Sequence, residues 1–310
     1  MLKKLIINNK KPIIFIVVLI LLGGYKVISS NRPSISVFTS IQKDNIWEED
    51  LNGDKKKDTI ILKNTNQGFI AQVNLNKNKT FSLDYSKDLP TLGEYSPYWP
   101  PRILTLDISR DNSKEIFLQS SFHNKPVQHI FTWDGSKYVN LFSSTNNLMG
   151  FLDSSNSKTP KVITGNYESG HMKFSGYLFN KGNLEKFTDT NPLTLPGEDT
   201  ISNLISLIQT LPNQYISVPN YFYSQISGSD LESLFRLANG SNNFKFQDGY
   251  FIDLAWHENG TITCSNWILN FRAMSTSNSS EVSNMTINLM LNKYNDEDFP
   301  YKITSFNIYQ

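Results

Sequence analysis

The chain has 310 residues, a formal net charge of +1, 13% aromatic and 18% charged residues, and a single cysteine. At roughly 100–200 residues per domain, this length suggests two domains. The aromatic content excludes wholesale disorder, and the near-zero charge excludes the basic face that nucleic-acid binding needs. Cys264 alone rules out an intrachain disulfide framework and a cysteine-rich metal site. Four scattered histidines, His123, His129, His171 and His257, leave little material for a zinc enzyme.

Residues 1–12 carry Lys3, Lys4, Lys10 and Lys11 before any acid, and an unbroken apolar run, Ile13–Leu22, follows. A basic leader and then an apolar core is the order of a secretory signal or an uncleaved signal anchor. The run alone suits a signal peptide. Extended to Ile28, it reaches the lower limit of a membrane span, about 17 residues. We read 1–12 as a cytoplasmic leader, 13–29 as a transmembrane helix or signal, and 30–43 as a linker. Retention makes the protein single-pass at the cell membrane with residues beyond the span extracytoplasmic. Cleavage after Ser30 makes it secreted. No cysteine follows the run, which excludes a lipoprotein anchor. The abundance of Asn, Lys, Ile and Ser resembles the proteins of low-GC Gram-positive bacteria.

From 44 to 190 one pattern recurs. Trp47–Leu62 contains DLNGDKKKD, Leu104–Leu118 contains DISRDNSKE, and Gly150–Thr164 is a weaker third copy. Each has an apolar segment, a polar loop and a β-rich segment, followed by a hairpin signal such as Asp134-Gly135. The spacing suits four-stranded antiparallel units of about 40–50 residues. The first loop places oxygen side chains on alternate residues, Asp50, Asn52 and Asp54, with Asp58 behind them. Calcium takes six to eight oxygen ligands, and a main-chain carbonyl from Lys56 would add one more. Asp107, Ser109, Asp111 and Glu115 form the corresponding, weaker set. In the third copy Asp153 keeps its place but Lys161 stands where the last acid belongs. Ile61 occupies the place of the bidentate glutamate of an EF-hand. The same residues also suit an ordinary turn, because Asp, Asn and Gly favour one.

The loop followed by an apolar strand resembles the calcium loop of FG-GAP/VCBS repeats, the units of integrin-α-like β-propellers. The resemblance covers about 44–190 and implies a mainly β region of partial β-propeller-like antiparallel repeats. It also implies Ca2+ held first by the Asp50 loop and then by the Asp107 loop.

A boundary follows at Asn191–Glu198, with two prolines and a glycine. Ile201, Leu204, Ile205, Ile208 and Leu211 fall at helical spacing, with Asp199 or Thr200 as cap, and Ser229–Ala238 forms a second helix stopped by Asn239-Gly240. Strands are expected over Tyr250–Trp256, Thr261–Phe271, Val282–Tyr294 and Ile303–Tyr309. Residues 191–310 thus read as an α+β domain whose element order resembles an NTF2-like cone.

These features favour a non-enzymatic envelope protein with a structural or protein-interaction role. One alternative is a secreted or envelope-bound hydrolase acting on glycans through Glu94, Glu168 or Glu258. Another is a carbohydrate-binding module using Tyr98 and Trp99 as a stacking platform. Cys264 has His257 seven residues earlier across a turn as a candidate base, and His171 is a candidate loop contact. There is no nucleophile elbow, Walker loop, dinucleotide fingerprint or zinc motif.

Overall fold

Alternating apolar and polar side chains produce most of the strands, and the computed structural model describes residues 39–40, 46–76, 79–153, 159–187, 193–213 and 216–309. The expected leader 1–12 and span 13–29 lie outside these residues, as does the cleavage position at Ser30. Among the described residues no helix is long and apolar enough to cross a membrane.

Four strands, β2 (Ile46–Glu49), β3 (Asp58–Thr65), β4 (Gly68–Leu75) and β5 (Lys79–Leu83), pair in sequence as an antiparallel sheet. On β4 the alternation is plain: Phe69, Ala71, Val73 and Leu75 are buried while Ile70 is exposed. A second meander follows, with β6 (Arg102–Leu106), β7 (Glu115–Phe122), β8 (Lys125–Trp133) and β9 (Tyr138–Ser144). A two-residue strand, β1 (Thr39–Ser40), pairs with β6 and lies inside the stretch expected as linker. The third meander is β10 (Leu148–Leu152), β11 (Lys161–Glu168), β12 (His171–Asn180) and β13 (Asn183–Lys186). The expected Asp134-Gly135 turn joins β8 to β9, with Gly135 at φ 97.

The third meander does not end its sheet. Strand β14 (Asn242–Trp256) runs parallel to β10, and β15 (Ile262–Ser275), β16 (Val282–Lys293) and β17 (Tyr301–Tyr309) continue antiparallel from it. The result is an eight-stranded sheet with strands from both sides of residue 191. Gly150 pairs with Phe251 at the parallel join, and a Cβ there would fall 2.3 Å from the Phe251 ring.

The sheets stack face to face. One core packs Leu51, Ile60 and Val73 against Ile103, Ile116 and Phe131. The other face of the five-stranded sheet sets Leu104, Phe117 and Ile130 against Phe151, Tyr250 and Ile268. That double burial is why β7 is buried from Glu115 to Ser121 without alternation. Two helices, α1 (Glu198–Gln209) and α2 (Gly228–Ala238), cover the far side of the eight-stranded sheet through Ile201, Leu204, Ile205 and Leu234. Asp199 and Thr200 do not cap α1. Gly197, at φ 82, is the N-cap, and the buried Thr200 hydroxyl donates to the Tyr301 carbonyl instead. Ser227 caps α2 by accepting the Asp230 N–H.

Candidate functional site: the paired acid loops

The two DxxxDxxxD/E loops between β2 and β3 and between β6 and β7 close in the same way. Asp50 accepts the N–H groups of Gly53 and Lys55, each at 2.8 Å, and Asp107 accepts those of Arg110 at 2.7 Å and Asn112 at 3.2 Å. Asp54 accepts the Lys56 N–H, and Asp111 accepts that of Ser113. Both loops need left-handed backbone at the same two places, Gly53 and Lys55 in the first, Arg110 and Asn112 in the second. The last acid of each turns inward. Asp58, 1% exposed, accepts from Leu51 N–H at 3.1 Å and Asn76 N–H at 2.9 Å. Glu115, fully buried, accepts from Ile108 N–H at 2.8 Å, Ser109 N–H at 3.2 Å and the Thr132 hydroxyl at 2.9 Å. Burial pushes the Glu115 carboxyl above its ordinary range, with these hydrogen bonds opposing the shift.

The loops also hold each other. Lys114 N–H donates to the Leu51 carbonyl at 2.8 Å, the Tyr138 hydroxyl reaches the Leu51 and Lys114 carbonyls, and Lys114 pairs with Glu49 at 2.6 Å. A Cβ on Gly53 would come within 2.8 Å of the Asn112 carbonyl oxygen.

The residues expected to hold calcium are therefore Asp50, Asn52, Asp54, Lys56 and Asp58 in one loop and Asp107, Ser109, Asp111 and Glu115 in the other, and each set lies together on its own loop. Their donor chemistry suits a hard cation, but the arrangement is not a cage. Asp58 and Glu115 are turned to backbone amides inside the sheets, and among the described residues no three His, Cys, Asp or Glu side chains converge as a metal-binding group. Asp54 is held below its usual range first by the Lys56 N–H and also by the Asn76 and Asn52 side chains.

The third copy differs. Residues 154–158 of its loop lie outside the described residues. Lys161 lies over the Phe187 ring, 5.6 Å from the centroid. A carboxylate comes instead from β14: Asp253, 5% exposed, accepts the Asp153 N–H at 2.9 Å and the Trp256 indole N–H.

The other expected sites are dispersed. Trp99 is not a platform; it is 5% exposed, and its indole N–H donates to Asp248 at 2.5 Å. Tyr98 donates its hydroxyl to Asn124 and stacks under Arg272. Asp248 also takes Arg102 at 3.0 Å and Asn270 at 2.7 Å, forming a fully buried ion-pair cluster between the five-stranded and eight-stranded sheets. Nothing local in the sequence marked it, because Arg102 and Asp248 are separated by 146 positions. Cys264 is buried, which pushes its thiol up, and no hydrogen bond joins it to His257. His171 is exposed at the start of β12 opposite Glu168. Glu94 accepts the His123 N–H, and neither it nor Glu168 nor Glu258 is among the described residues that line the clefts of about 310–360 Å³.

No family model matches the chain, and no curated protein matches it. Among solved structures, the crystal structure of endo-arabinase from Bacteroides thetaiotaomicron VPI-5482 aligns over 87% of this chain and 84% of that chain, at 10% identity and a TM-score of 0.35. A likeness so distant carries no inference about fold or activity.

Proposed function

We propose that the chain is a membrane-anchored extracytoplasmic scaffold without a catalytic role, presenting an interaction surface at the cell envelope. The matched closure of the Asp50 and Asp107 loops supports this reading. Their acids accept backbone N–H groups that close each loop, and the Lys114 N–H to Leu51 carbonyl bond then fixes one sheet to the next. Three successive four-stranded meanders favour a partial propeller of FG-GAP/VCBS type, in which a helix-backed sheet replaces a fourth unit. The packing of α1 and α2 on β14–β17 is the arrangement an NTF2-like cone would use.

Fractionation of producing cells tests the envelope assignment. The protein is expected to pellet with membranes, resist extraction by salt, and be degraded by protease added to intact cells with the wall removed. Recovery in the soluble cytosolic fraction, shielded from that protease, would overturn the proposal.

A further inference from the structure

A cleft of about 310 Å³ opens beside the two acid loops, lined by Asn52, Leu75, Asn76, Lys79, Ser113 and Trp133. It draws Asn52, Leu75, Asn76 and Lys79 from the four-stranded sheet and its loop, and Ser113 and Trp133 from the five-stranded sheet and its loop. Trp133 is half-buried and fixed in plane by two edge contacts. The Phe81 ring lies 5.3 Å away at 80° and the Tyr138 ring 5.4 Å away at 63°. Such a held indole loses little freedom when a ligand packs on it.

The polar lining is mostly donors. Among the described residues the Trp133 indole N–H, the Ser113 hydroxyl and the Lys79 ammonium donate to no protein group. The Asn52 amide oxygen accepts the Asp54 N–H at 3.1 Å, and the Asn52 and Asn76 side chains each carry an amide with two N–H donors. Among the described residues the lining holds no acid and one cation, Lys79. Leu75, 4% exposed, forms an apolar floor. An aromatic ring, an apolar floor and several donors with a single positive charge suit a ligand with a C–H face and many acceptor oxygens, one of them anionic.

We infer that this cleft binds an acidic saccharide, a pyranose ring lying on Trp133 with its carboxylate or phosphate at Lys79 and its hydroxyls at Asn52, Asn76 and Ser113. This deepens the scaffold reading by naming the ligand class of its surface. It does not depend on where the protein resides.

The test is calorimetric titration of the full chain in detergent with trigalacturonate, maltotriose and inorganic phosphate. Trigalacturonate is expected to bind, with maltotriose weaker by about tenfold. Trp133→Phe, which keeps the apolar packing, and Trp133→Ala are each expected to weaken binding by at least about tenfold. Lys79→Gln, at an exposed position, is expected to bring trigalacturonate down to the level of maltotriose. Binding of phosphate as strong as that of trigalacturonate would reduce the cleft to a simple anion site and overturn the saccharide. No heat with either sugar at millimolar concentration, or unchanged binding in both Trp133→Phe and Lys79→Gln, would also overturn it. Failure here with the protein still membrane-bound and outward-facing leaves the scaffold reading standing; the converse pattern separates them equally.

Discussion

The two junctions between the stacked sheets are built on different principles. Where the four-stranded sheet meets the five-stranded one, polar contacts are local. Each acid loop is closed by its own carboxylates on its own amides, and Lys114 N–H to Leu51 carbonyl joins the loops. Where the five-stranded sheet meets the eight-stranded one, the charged contact among the described residues is one dry cluster, with Gln119 donating to the Gly249 carbonyl beside it. Arg102 and Asp248, each with a side chain 2% exposed, pair at 3.0 Å, and Trp99 and Asn270 fill the remaining acceptor positions. The first device repeats along the chain and tolerates partial water. The second occurs once and leaves no margin, because removing either partner strands a charge away from solvent.

That contrast sets the largest expected effect. Asp248→Ala leaves the Arg102 guanidinium buried without its counter-charge, and a loss of about 3–5 kcal/mol is expected in urea unfolding with the slope unchanged. The double change Arg102→Met with Asp248→Leu should recover much of that loss, since apolar replacement of a buried pair is often neutral or better. A double variant as unstable as Asp248→Ala would show that the junction depends on the pair itself.

The first junction should fail in acid. His129 is fully buried, with one ring nitrogen 2.7 Å from the Thr91 carbonyl and the other 2.9 Å from the Ser143 hydroxyl, and burial lowers its pKa from 6.5 to about 4. A folded pKa below the unfolded one gives stability that is present above pH 6.5 and lost as pH falls toward 4. The shift corresponds to a loss of about 3 kcal/mol across that window. Thermal melts from pH 7 to pH 4 should show the drop in the wild type, and His129→Gln should flatten it. An equal slope in both proteins would remove His129 as the cause.

The same contrast explains what was legible in the sequence. The acid loops could be read because the bonds that close each turn, Asp50 to Gly53 and Lys55 and Asp107 to Arg110 and Asn112, are local and recur, so DLNGDKKKD and DISRDNSKE announce their turns. The hairpin at Asp134-Gly135 and both helices were legible for the same local reason. The use made of the last acid was not legible. Asp58 and Glu115 each begin a strand that carries them inward to meet amides. The Arg102–Asp248 junction left no local trace. Asp248 instead hid a strand, because β14 runs from Asn242 rather than Tyr250. Gln247 and Asp248 break the alternation at a bulge and are buried by contacts from the distant chain. The aromatic, proline-rich stretch around Trp99 misled for the matching reason, since its indole is anchored on that same Asp248.

Within the first junction the two loops can be ranked. Glu115→Ala strands two N–H groups and one hydroxyl in a dry site, and Asp58→Ala strands two N–H groups, so losses of about 2–3 and about 2 kcal/mol are expected by chemical denaturation. Glu115→Gln gives the smallest and most specific effect. A glutamine oxygen can keep the Ile108 and Ser109 N–H bonds while its amide donates to the rotated Thr132 hydroxyl, so the loop stays closed without a charge. Burial raises the folded pKa of Glu115 above 4.5. The benefit of its neutral form is therefore complete below the unfolded pKa and fades as pH rises through the folded one. Glu115→Gln should match the wild type near pH 4 and become the more stable protein as pH climbs above that, as read by urea unfolding at each pH. Parallel curves for Glu115→Gln and the wild type would mean that the hydrogen bonds, not desolvation, govern the buried carboxylate.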